Sequence, residues 1–353
     1  MADGEYRGLV HRNNADLAAW LAKRPTEKAL EPDLPIIDPH HHLWDAPHRA
    51  RGLYLLPELL ADIGGGHNIV STVFLECQSM FKAAGPVEMR PVGEVEFVNG
   101  IAAMSASGQY GKTRVCEAIV GWVDLMLGSK VRAVLEAEIA AGGGRFRGVR
   151  YGTSHDEGPA GQHVSRAMPP HRLLDPNFRE GFAELGKLGL TFDSWHFFPQ
   201  LPDLLDIARA FPGQSIIVDH VGGHLGVGQY AGKQAETIPV WKKSMADLAK
   251  CPNVTVKLGG LGMISFGFDF HFRDVPPSSQ DLAAAWKPYV ETCIELFGPE
   301  RCMFESNFPP DKQSCGYTEL WNAFKIITKG ASAAEKTALY SGTAARVYKM
   351  IKP

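Results

Sequence analysis

The sequence predicts an α/β protein, a (β/α)8 TIM barrel with an N-terminal arm and an extra C-terminal helix. Three observations carry this. Eight short β-rich runs alternate with amphipathic, Ala/Leu/Glu-rich segments from Pro35 onward. Several runs, among them IVSTVFLEC, CEAIVGWV and QSIIVD, are nearly continuous apolar stretches, as parallel strands buried on both faces require. No GxGxxG turn or domain break divides the series, which favours a barrel over a doubly wound sheet.

The elements follow in order. Residues 1–34 read as a polar arm with one short helix around Ala15 to Lys23, broken up afterwards by Pro25, Pro32 and Pro35. The barrel domain spans residues 35–353. Its strands are expected at Pro35–Asp38, Ile69–Cys77, Cys116–Val123, Phe146–Arg150, Leu190–Trp195, Ser215–Asp219, Val254–Leu258 and Cys302–Glu305. Helices are expected at Leu56–Ile63, Met89–Ser107, Lys130–Ala141, Asn177–Lys187, Pro202–Phe211, Pro239–Lys250, Ser279–Phe297 and Tyr317–Lys329, with Ala333–Tyr348 as the extra one. Asp175-Pro176 is a good helix start and Gly189 a good stop. Long connections at Tyr151–Leu174, Gly222–Thr237 and Gly259–Ser279 follow strands, where a barrel keeps its active-site loops.

Composition excludes several classes. The chain has 353 residues, 45% hydrophobic and 21% charged, the balance of a soluble globular protein. A net charge of −3 at pH 7 lacks the basic excess of nucleic-acid binders. No apolar run approaches the ~18 residues of a membrane helix, and the polar start carries no secretory signal. Six scattered cysteines without a CxxC pair read as reduced thiols of a cytoplasmic protein.

Polar residues collect at the C-terminal ends of the expected strands. Strand 1 ends in Asp38-Pro39-His40-His41-His42, strand 2 in Glu76, strand 4 in Arg150-Tyr151 with His155 beyond, strand 5 in His196, strand 6 in Asp219-His220, strand 7 in Lys257 and strand 8 in Glu305-Ser306-Asn307. His40 and His42, two apart on a strand, point the same way, a spacing suited to one metal ion or one substrate carbonyl. His41 points the other way and is read as structural. Alternation lets one of Asp219 and His220 face the axis; His220 is the choice. His196 lies in an aromatic run where a core histidine is as good a reading as a catalytic one. Arg150 suits a carboxylate or lactone oxygen. The aromatic rim (Trp44, Tyr151, Trp195, Phe197, Phe198, Phe308) suits a flat or partly apolar ring, although core packing explains it as easily.

The motif DPHHHLWD (38–45), with FRGVR (146–150), VDHVGG (218–223), VKLGGLG (256–262) and FESNFPPD (304–311), resembles the amidohydrolase superfamily. Within it the pattern looks like the amidohydrolase-2 lactonase branch of 2-pyrone-4,6-dicarboxylate lactonase, fuconolactonase and 4-sulfomuconolactone hydrolase. The resemblance covers roughly residues 35–350. It implies a barrel that hydrolyses a small lactone, often a carboxylated one. It implies that His40, His42 and His220 grip the carbonyl or hold a metal, and that Arg150 anchors substrate. Relatives work either without a metal or with one divalent ion such as zinc or manganese.

One departure matters. The family's strand-8 motif reads GSDWP, with an aspartate as ligand or base. Here Asn307 stands in that position, and an amide cannot take a proton from water at neutral pH. Glu305, two residues earlier on the same strand face, is the candidate replacement base, with Glu76 as the second candidate. The leading reading is a hydrolase of a lactone or similar cyclic ester. In it His40, His42 and His220 polarise the carbonyl, Glu305 handles the proton, and Arg150, Tyr151 and His155 hold an anionic substituent. A metal-dependent decarboxylase or hydratase is the alternative, and a non-catalytic ligand-binding barrel the third. The expected partner is a small cyclic or anionic molecule, with no nucleic acid and no membrane; pairing of copies through outer helices is left open.

Overall fold

The computed structural model describes residues 12–45, 52–164, 166 and 168–353. Eight parallel strands form one sheet in chain order: β1 (Ile36–His41), β2 (Ile69–Leu75), β3 (Arg114–Gly121), β4 (Phe146–Gly152), β5 (Thr191–Trp195), β6 (Ile216–Val218), β7 (Val254–Leu258) and β8 (Cys302–Phe304). The last strand returns to the first. His41 bridges Phe308 in parallel, Asn307 N–H donates to His40 O at 2.9 Å, and His42 N–H donates to Phe308 O at 2.8 Å. This closes the ring just past the end of β8 and brings the two most polar strand ends together.

Each strand is followed by a helix, as the alternation predicts. The helices are Leu56–Ile63, Val92–Ala106, Val131–Ala141, Pro176–Lys187, Leu201–Ala210, Gln234–Ala249, Ser279–Phe297 and Tyr317–Ile327. Side chains fix their starts. Asp175 accepts from Asn177 N–H at 2.9 Å, with Pro176 in the first helical position. Ser278 and Asp281 form a reciprocal capping box.

The core has two parts. The larger lies between the strands and the helices and includes Phe74, Phe182, Phe192, Trp241, Trp286 and Phe324. The smaller fills the N-terminal end of the barrel: Ile37, Val73, Val120, Ile217 and Met303 meet Ala344, Val347, Tyr348 and Met350 of the C-terminal segment. That end is plugged by apolar side chains, so the opposite end holds the polar groups.

Several elements differ from the sequence reading. Strand β1 runs on through Pro39 to His41. Pro39 has no N–H to give, but it falls at an irregularity in the register of β1 with β2, between the pairs Asp38–Thr72 and His41–Phe74. The helix expected from Pro239 starts at Gln234 and takes Pro239 into its interior. The expected single helix Ala333–Tyr348 contains a π-helical turn at Ala338–Gly342 between Ala333–Thr337 and Thr343–Val347. An unforeseen two-stranded antiparallel ribbon, Trp44–Asp45 with Leu53–Tyr54, follows β1. Of the N-terminal arm, residues 1–11 lie outside the described residues. The helix Asn14–Leu21 lies against the barrel's upper rim, where Trp20 Nε1 donates to Arg273 O at 2.8 Å and Arg12 Nη2 to His271 O at 2.7 Å.

Candidate active site

The C-terminal ends of the strands surround a cavity of about 490 Å³, whose inner wall includes His42, Glu76, Arg150, His220 and Asn307. His40 and Glu305 are fully buried beneath it. Strand alternation places His40 and His42 together, with Nε2 atoms 3.3 Å apart. His41, facing outward, meets Thr72 Oγ1 at 2.8 Å. His42 Nδ1 lies 2.9 Å from Leu75 O, which only accepts. Nδ1 therefore carries the hydrogen, and Nε2 is left as an acceptor.

His220 reaches the cavity by leaving strand geometry. Strand β6 ends at Val218, and His220 and Val221 take left-handed φ values of 54° and 48°. Alternation consequently stops, and both Asp219 and His220 face inward, where one of the two was expected. Asp219 Oδ1 lies 3.1 Å from Lys257 Nζ and 3.7 Å from His40 Nδ1. Gly260 makes room: a Cβ on it would fall 2.2 Å from His220 Nδ1.

Glu305 joins two histidines. Its Oε1 accepts from His220 Nδ1 at 2.7 Å and from His220 backbone N–H at 3.2 Å, while Oε2 is 2.6 Å from His40 Nδ1. Burial pushes the Glu305 carboxyl up to about 8, against the pull of Lys257 and the His220 N–H. Burial also pushes His220 down to about 3 and holds His40 and His42 well below the usual histidine range, so these rings are neutral. Beneath them Lys257 Nζ contacts Asp193 Oδ2 at 2.7 Å, and Tyr348 OH donates to the same oxygen at 2.6 Å. Burial works against the Lys257 ammonium, but Asp193, Asp219 and Glu305 outweigh it and keep it charged.

Arg150 Nε pairs with Glu76 Oε1 at 2.9 Å, its Nη2 donates to Glu76 O, and its Nη1 lies 3.3 Å from His40 Nε2. Asn307 Nδ2 donates to Asp311 Oδ1 at 2.7 Å. The other three expected residues stand apart from the described cavity wall. Tyr151 OH reaches Asp124 Oδ1 at 3.4 Å, His155 Nδ1 meets Met168 O at 2.8 Å, and fully buried His196 bonds Ser194 Oγ at 3.0 Å. Asp193 and Asp311 were missed. The available signal for Asp193 was a charge inside the apolar run TFDSW, as for Lys257 inside VTVKL.

Among the described residues, His40, His220 and Glu305 bring three donor atoms within 4.8 Å of one another, a set whose chemistry suits zinc or manganese. Those atoms are already engaged with each other, however, and both nitrogens of His40 face a cation. Lys257 Nζ is 3.3 Å from Nδ1 and Arg150 Nη1 is 3.3 Å from Nε2. An ion on His40 would have to displace one of them, so the residues as arranged do not fit a metal.

Comparisons with known proteins bear on the family and the fold. A family model described as amidohydrolase matches residues 37–350. The chain is 32% identical over 338 residues to an uncharacterised protein of Sinorhizobium fredii, covering 90% of this chain and 99% of that one. It is 25% identical over 335 residues to an L-fucono-1,5-lactonase of Burkholderia multivorans, covering 90% and 97%. A crystal structure of a zinc-bound amidohydrolase from Burkholderia multivorans superposes with a TM-score of 0.67 at 24% identity, covering 90% of this chain and 99% of that one.

Proposed function

Since the chain belongs to the amidohydrolase family, we propose that it is a hydrolase that opens a small lactone by attack of water at the C-terminal face of the barrel. The observation that carries this reading is the His220–Glu305 pair at the cavity floor. With Nδ1–H given to Glu305, His220 presents Nε2 as an acceptor toward the cavity, the arrangement of a general base held by a carboxylate. The Asn307 side chain supports it: its Nδ2–H donation to Asp311 fixes the amide, and Oδ1 is the acceptor that can receive a hydrogen bond from the attacking water.

The steps follow from these groups. Water loses a proton to His220 Nε2 as its oxygen attacks the lactone carbonyl. As Nε2 gains that proton, Nδ1 passes its own to Glu305, whose proton affinity burial raises, so the ring stays neutral. Arg150 Nη1, held by Glu76 and beside His40, polarises the carbonyl oxygen. The proton then returns through His220 to the ring oxygen as the C–O bond breaks. Glu305 thus receives the proton through His220 rather than from water directly, and His42 completes the wall around the reacting carbon, with His40 beneath it.

The role of Arg150 differs from an anchor for an anionic substituent, because Glu76 already neutralises it. The test is acid release, followed by pH-stat, on a panel of five- and six-membered lactones. Ring opening that disappears in His220→Asn supports the reading. Absence of acid release across the panel, with carbon dioxide evolved from an aromatic acid, would replace it with the decarboxylase alternative.

A further inference from the structure

The cavity continues outward from the catalytic floor into a wall that the barrel itself does not build. Leu17 and Leu21 come from the N-terminal helix, Trp44 and Leu53 from the two-stranded ribbon, and Met263 and Ile264 from the loop after β7. A cavity of about 490 Å³ suits a drug-sized ligand, more than a bare five- or six-membered lactone ring fills. Hydroxyl groups set against these side chains would lose water without gaining partners.

Charge gives a second, independent constraint. The charged side chains on the described wall are Arg150, Arg166, Lys312, Glu58, Asp62 and Glu76, three of each sign. Arg150 is paired with Glu76, and Lys312 reaches both oxygens of Asp62 at 2.8 Å. Arg166 lies over the Trp122 ring, 3.7 Å from its centre, where the ring face offsets part of its charge. Nothing in this balance selects a carboxylated or sulfonated ring.

We infer that the substrate is an uncharged lactone carrying an aryl or alkyl substituent, its ring on the histidine floor and its hydrocarbon group against the N-terminal helix and the ribbon. This rests on the lactone-hydrolase reading and names its substrate class. The substituent's position follows from continuity: the apolar wall opens from the same cavity that holds His42, His220 and Asn307.

The test compares kcat/KM for δ-valerolactone, its δ-phenyl derivative and D-glucono-1,5-lactone. The phenyl derivative should exceed δ-valerolactone by about tenfold or more, a typical gain for filling an apolar pocket, and glucono-1,5-lactone should fall below both. Equal rates, or a preference for the polyhydroxylated ring, would overturn the assignment. Ala18→Glu, on an exposed position of the helix that also lines the wall, and Leu53→Ser, at a residue 39% exposed, should each shrink the phenyl-to-unsubstituted ratio. An unchanged ratio in both would count against the wall. If none of the three lactones opens, the hydrolase reading fails, and binding decides the wall separately. Quenching of tryptophan fluorescence by 2-phenyltetrahydropyran should then be tighter than by tetrahydropyran and weakened in Leu53→Ser; equal affinity would reject the apolar subsite.

Discussion

Asn307 has its amide nitrogen committed to Asp311, 2.7 Å away, and this decides what position 307 can do. Restoring the family's aspartate there does not restore a base. Asn307→Asp sets a second carboxylate against buried Asp311, which burial already holds well above the usual carboxylate range, and removes the donor that Asp311 Oδ1 uses. The cost should be about 1–3 kcal/mol. It should grow with pH, since the two groups must share a proton and lose it as pH rises; melts at pH 5 and pH 8 check the sign. Glu305→Gln keeps the size of the side chain but cannot receive the proton from His220. Turnover should fall about 100-fold or more with the fold retained. The wild-type rate should rise with pH through about 8, because Glu305 must be ionised to work, and the variant should lose that limb. A wild-type rate already flat between pH 6 and 9 would remove Glu305 from the proton path.

At the scale of elements, the site is made where strands end. His220, Val221 and Asn307 all have positive φ, so the chain turns out of β6 and β8 and presents groups that strict alternation would hide. The glycines after β7 complete this. Gly260 has φ 66° and stands against the His220 ring, so Gly260→Ala both strains the turn and displaces the imidazole. A shift of about 1 Å at a reacting group costs roughly 100-fold, so kcat should fall by about that factor with the barrel intact by circular dichroism. Unchanged kcat would mean that the ring does not need this position. The expected helix Ser279–Phe297 was legible to the residue because Ser278 and Asp281 cap it. Helix Gln234–Ala249 was not, because proline favours the first turn of a helix and Pro239 lies in the interior of this one.

Across the whole molecule, one charged layer ties the barrel together. Asp193 of β5, Asp219 after β6, Lys257 of β7 and Tyr348 near the C-terminus meet inside the ring, all four essentially inaccessible to solvent. Lys257→Met would leave two buried aspartates without their cation, and the loss should be about 3–5 kcal/mol, read as a lower denaturant midpoint. A midpoint unchanged from wild type would show that the aspartates simply take up protons. The same layer places an ammonium beside His40. Dialysis against a chelator is accordingly expected to leave lactone turnover within about twofold, far less than the loss of a metal-activated water would cause; recovery only on adding zinc or manganese would contradict it.

The sequence by itself determined the barrel and much of its rim. Continuous apolar strands can be satisfied only by burial on both faces, and that places His40, His42, Glu76, Arg150, His220 and Asn307 at one end in any closed parallel sheet. Period-2 alternation also separated His40 and His42 from His41. Only the tertiary structure decided how these groups are paired. Glu305 lies 85 residues from His220 in the chain, and Arg150 lies 74 from Glu76. No local rule fixes whether a buried carboxyl faces water or two imidazoles. The same holds for the cavity's outer wall. Helix Asn14–Leu21 has only a weak amphipathic pattern of its own, and its place over the site depends on bonds such as Trp20 to Arg273. Propensity forms such a helix, but packing across some 250 residues of chain decides where it lies.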